Sequence, residues 1–183
     1  MISLRKINSI LIVILILMLV YHALLATLYF LGIIGYMPDF KITGRRLFYP
    51  LVLHIIISLY LYLKEKTKSK RYSNLIKETN QQLITGICII IFAALHIVNY
   101  SLGSVSDNAD IFRTLSHIIV DNLLIVSIAL HLRVSIPRLM ISFGFLEGKN
   151  DYANAKSKIN MFILVLLIII FMAEAIFYIG GIL

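Results

Sequence analysis

The chain has 183 residues, 60% of them hydrophobic, and a formal net charge of +8 at pH 7; its mean hydropathy is +0.94. A water-soluble domain is about half apolar, so the composition is that of a membrane protein. The single cysteine, Cys88, excludes an internal disulfide and any all-cysteine zinc or iron–sulfur site.

No Gly-rich dinucleotide or phosphate loop is present, so the chain has no visible flavin, NAD or ATP domain of its own. The excess positive charge lies in short stretches between apolar runs. There it reads as membrane topology and not as a nucleic-acid surface.

Five apolar runs are expected to be transmembrane helices. The first follows Arg5 and Lys6 and covers about 9–34. It is too long for the 7–15-residue apolar core of a signal peptide and no clear cleavage site follows, so it is read as a retained span. A turn with Gly35, Pro38 and Gly44 separates it from a short second helix at about 47–63. The basic run Lys64 to Arg71 and polar residues to Gln82 come next. The third helix is expected at about 83–102, the fourth at about 111–134 and the fifth at about 159–179. A small acidic loop, 103–110, lies between the third and fourth. A longer loop with Pro137, Gly144 and Gly148 precedes the fifth.

Lys and Arg are unevenly shared between alternate loops. Only Lys41, Arg45, Arg46 and Arg113, of 17, fall on the side opposite the N-terminus. Positive charge favours the cytoplasmic side, so the N-terminus is expected inside and the C-terminus outside. The expected fold is all-α: one polytopic domain over residues 1–183.

His22, His54, His96 and His117 fall one each within the first four apolar runs. An ionisable group at membrane depth costs a few kcal/mol or more and marks a functional site by default. For one histidine alone, a hydrogen bond to a neighbouring helix explains as much. Four on consecutive helices point to a four-helix bundle holding two b haems, each iron ligated by two imidazoles. Small residues share the histidine faces: Thr85, Ala93, Asn99 and Gly103 with His96, Pro50 and Ser58 with His54, and Ala26 with His22. They leave room for a macrocycle, or equally for close helix packing.

Arg113, His117 and Asp121 recur at four-residue spacing on one face. They form an Arg–Asp pair, or Asp121 orients the imidazole, or Arg113 meets a haem propionate. Arg45 and Arg46 are further propionate candidates. His131 lies 14 residues after His117 on nearly the same face, a spacing that can serve two stacked haems. Its neighbour Arg133 favours a solvated interfacial side chain instead. Glu174 could carry protons, bind a quinol hydroxyl, or be buried and structural. Tyr36, Tyr49, Tyr60, Tyr62 and Tyr100 fit an interfacial aromatic belt, and Cys88 fits inert packing.

Several short motifs carry a resemblance. Thr85-Gly86 precedes His96 by ten residues from the glycine, PLVLHIIISLY surrounds His54, RYSN at 71–74 leads into the third helix, and Pro137-Arg138 follows His117 by twenty residues. With these, the chain resembles the single-subunit, five-helix, dihaem cytochrome b anchor of succinate dehydrogenases and fumarate reductases. The second helix ends soon after its histidine, and the first lacks the small residues often found before its ligand; in both the chain departs from that family.

The resemblance implies that His22 and His96 ligate a haem distal to the cytoplasm, and His54 and His117 a proximal one. It also implies flavoprotein and iron–sulfur subunits docked on the cytoplasmic face of a bacterial cell membrane. Electron exchange would be with a membrane quinone, menaquinone above all.

Overall fold

Runs of Ile, Leu and Val with no water to satisfy the backbone leave only helix as a spanning form. The computed structural model describes residues 3–66, 73–101, 111–146 and 149–180, with the backbone alone for 65, 66, 73–77, 111, 113, 149 and 179. All regular structure among the described residues is helical: α1 (Leu4–Phe30), α2 (Asp39–Lys66), α3 (Ser73–Ser101), α4 (Ile111–Ser142) and α5 (Lys149–Gly180). All five are long and apolar enough to cross a membrane. The chain is a multi-pass membrane protein.

The helices run beyond the apolar stretches at their polar ends. α2 is not short. Pro38 sits just before its first residue, where a missing N–H costs nothing, and Asp39 lies in its first turn. Gly44 is therefore a helical residue and not part of a turn. α4 passes through Pro137, expected in a loop, and ends at Ser142. Gly144, at φ +78, follows in the left-handed conformation that glycine adopts without strain. Gly32, at φ +70, plays the same part after α1, and Ser3 caps its start by accepting from Lys6 N–H.

The helices gather into two units, Met1–Tyr72 and Ser73–Leu183. In the first, α1 packs along α2. Tyr29, Tyr36 and Phe40 cluster at their junction, with Tyr29 and Phe40 ring centroids 5.5 Å apart. In the second, α4 packs against both α3 and α5. Val134 and Ala173 are almost wholly buried there, as are the polar side chains His117, Asp121 and Glu174. Apolar side chains such as Leu17, Ile84 and Met161 are exposed, the pattern of a surface meant for lipid. The acidic loop 103–110, the basic residues 67–71, Tyr72 of the RYSN motif and Gly148 lie outside the described residues.

Candidate functional site

Histidines join α1 to α2 and α3 to α4. In the first unit, His22 on α1 lies against Thr43 and Gly44 on α2. Thr43 Oγ1 is 3.1 Å from His22 Nδ1, and a Cβ on Gly44 would come within 3.5 Å of His22 Cε1. The Thr43 hydroxyl spends its one proton on the backbone, with the Asp39 carbonyl 2.8 Å away and that of Phe40 3.0 Å away. Towards His22 the oxygen can only accept, so Nδ1 carries the hydrogen and Nε2 the lone pair.

Further along the same pair, His54 Nδ1 meets Asn8 Oδ1 at 3.1 Å and Ser58 Oγ at 3.3 Å. The Asn8 amide nitrogen is turned to Ser58 Oγ. The Asn8 amide oxygen thus faces His54.

In the second unit, His96 on α3 places Nδ1 2.7 Å from Asp121 Oδ1 on α4. A carboxylate only accepts, so this imidazole also donates from Nδ1. Asp121 Oδ2 accepts from Tyr100 O–H at 2.9 Å. The Tyr100 ring lies between two imidazoles, with centroids 4.7 Å from His96 and 4.7 Å from His117. His117 is fully buried and meets Tyr100 edge to face, at 76°. Tyr178 on α5 also lies beside Tyr100. Glu174, 3% exposed, faces Asp121 and Asn122. Asn99 and Ser116 join α3 to α4 in the same region.

At the other end of this unit, Thr85 Oγ1 lies 3.0 Å from His131 Nδ1. The Thr85 hydroxyl proton goes to the Gln81 carbonyl, 2.8 Å away. Nδ1 of His131 is again the donor towards Thr85, and the Gln82 backbone also lies within hydrogen-bond reach of the ring. A Cβ on Gly86 would come within 3.7 Å of His131 Cε1. Gln82, Ser135 and Arg138 continue the contact between helices. Glu78 accepts from Lys156 at 2.7 Å and Tyr152 at 2.9 Å, both on α5.

Two sequence expectations are corrected here. Asp121 does not orient His117, its neighbour one turn away; it reaches across to His96, because the α3–α4 packing brings that ring to its carboxylate. His131 is not a solvated interfacial side chain. It is half-buried and bonded to Thr85.

His22, His54, His96 and His117 all lie within candidate spans. Arg45 and Arg46 are exposed on α2. Arg113 is in α4, with its side chain outside the described residues. Asn8 and the role of Tyr100 were missed in the sequence. Tyr100 stands four residues after His96, and that spacing was the available signal.

Among the described residues, no three His, Cys, Asp or Glu side chains converge as a metal site of their own; a haem iron needs only two. Comparison with protein-family models, with curated proteins and with solved structures found no match.

Gly44 and Gly86 each yield a local prediction. Added Cβ atoms would meet the rings at ordinary van der Waals distance, so Gly44→Ala and Gly86→Ala are expected to shift thermal stability in detergent by less than about 1 kcal/mol. Leucine at either position would displace its histidine, at about 1–3 kcal/mol as for other overpacked sites. Equal melting of the alanine and leucine variants would contradict this packing.

Proposed function

We propose that the chain is a membrane-anchor cytochrome b subunit. It carries electrons between membrane quinone and a cytoplasmic flavoprotein/iron–sulfur dehydrogenase, of the succinate dehydrogenase or fumarate reductase type. Two bis-histidine b haems connect the two ends. The observation that carries this reading is the shared contact of the intramembrane histidines. His22, His54 and His96 each place Nδ1 against an oxygen of the neighbouring helix, at 3.1, 3.1 and 2.7 Å; a ring so held that donates from Nδ1 would present Nε2 to a metal. Iron- and zinc-binding histidines are held by this kind of outer contact. These residues fit three of four axial positions, and the fourth falls on α4, which carries both His117 and His131. Bound haem would supply one-electron transfer. The chain's own residues orient the imidazoles and exclude water. Arg113 is proposed to meet a propionate.

The N-terminus is proposed to be cytoplasmic, with the basic inner loops forming the docking face. Reporter fusions after Lys70 and after Leu183 should report opposite sides of the membrane; the same side for both would contradict five spans. A tagged chain purified from its native membrane should bring along flavin and iron–sulfur protein, in addition to b-type absorption bands that quinol reduces. Haem without such partners would instead support a stand-alone quinol-linked cytochrome b. A haem-free polytopic protein, such as a proton-coupled transporter, is a second reading. It is favoured by the buried acidic groups Asp121 and Glu174 facing each other, since intramembrane carboxyls mark proton and ion routes. That reading requires a colourless protein.

A further inference from the structure

The two units carry the same device. Ile42-Thr43-Gly44 on α2 is followed ten residues after the glycine by His54, and Ile84-Thr85-Gly86 on α3 is followed ten residues after the glycine by His96. In both, the threonine hydroxyl is tied back to its own helix and accepts from a histidine Nδ1 on the antiparallel neighbour, at 3.1 and 3.0 Å. In both, the glycine lies under that ring, with a Cβ reaching Cε1 at 3.5 and 3.7 Å.

The ring in the Thr-Gly notch is His22 in one unit and His131 in the other. Fourteen residues before each stands a second polar residue: Asn8 before His22, and His117 before His131. By this correspondence His131 is the counterpart of His22. The contact that Asn8 makes to His54 is made to His96 by Asp121, so His117 has no counterpart among the histidines of the first unit.

Depth along the helices agrees. In the first unit the His22 notch and His54 are ten residues apart on α2, about 15 Å at 1.5 Å per residue. In the second, the His131 notch and His96 are ten residues apart on α3, again about 15 Å. His117 lies at the level of His96, since both rings touch Tyr100. Within each unit taken by itself, the pairs His22/His54 and His96/His131 are thus separated by about 15 Å along a helix. The pair His96/His117 would instead lie at one depth.

We propose that His131, held by Thr85, is the fourth axial haem ligand and that His117 is a packing residue beside Tyr100. This rests on the cytochrome reading above. The test starts from a preparation that carries about two haems per chain. His131→Gly is expected to fall to about one haem per chain, and added imidazole to restore the second as a low-spin species, which a purely structural role would not allow. His117→Asn is expected to retain both haems with unchanged spectra.

Two low-spin haems in His131→Gly without imidazole would overturn the proposal. So would loss of a haem in His117→Asn. A wild-type protein without haem from haem-replete cells would sink the cytochrome reading itself, a different and separable failure. In haem-free protein, nitrogen NMR of labelled histidine should find His131 protonated at Nδ1; protonation at Nε2 would also overturn the assignment.

Discussion

Thr43→Val and Thr85→Val are each expected to weaken haem binding about 10- to 100-fold, the usual cost of removing an outer contact to a metal-bound histidine. Valine keeps the shape of threonine and stays on its helix. What it lacks is the oxygen that accepts from Nδ1 of His22 or His131. The imidazole would keep its place against Gly44 or Gly86 but lose its fixed tautomer and ring angle. Serine at the same position should recover most of the affinity, because its hydroxyl can make the same back-bond and still accept. The measurement is haem retained per chain during titration with apomyoglobin as a competing acceptor. Unchanged retention in both valine variants would show that the threonines join helices and do nothing for a cofactor.

The second large effect is expected at Asp121. Its carboxylate accepts from both His96 and Tyr100 while only 6% exposed. Asp121→Leu leaves two donors without their acceptor, at roughly 1–3 kcal/mol each. Interhelical hydrogen bonds in bilayers average nearer 0.6 kcal/mol, because the unfolded chain finds other partners there. The α3–α4 contact should therefore lose about 1–3 kcal/mol. Asp121→Asn keeps the shape and one acceptor, and should lose about half as much. Equilibrium unfolding in mixed detergent micelles would measure both. A leucine variant as stable as the native chain would mean that His96 and Tyr100 are satisfied in some other way.

The five spans were legible in the sequence because hydropathy over some twenty residues is a bulk property that neighbours barely alter. The helix ends were not. α3 starts at Ser73, ten residues before its apolar run, and Glu78 in that polar extension is tied to Lys156 and Tyr152 on α5. No local pattern announces such a distant pair. α4 continued through Pro137, although proline normally argues for a boundary; here it sits fully buried within the helix.

The histidines themselves were visible, but their partners were not, since these depend on antiparallel register. Asp121 looked like a companion of His117 because four-residue spacing puts them on one face, and the packing gave it to His96 instead. Thr85-Gly86 before His96 was readable in the chain. Its counterpart at Thr43-Gly44 was hidden within a stretch taken for a turn.

The most direct measurement is the reduced-minus-oxidised absorption spectrum of the purified chain from haem-replete cells, with haem and protein quantified on the same sample. The account predicts low-spin b-type bands and about two haems per chain, from two imidazoles at each of two irons. A folded, five-span preparation with no Soret band would contradict it.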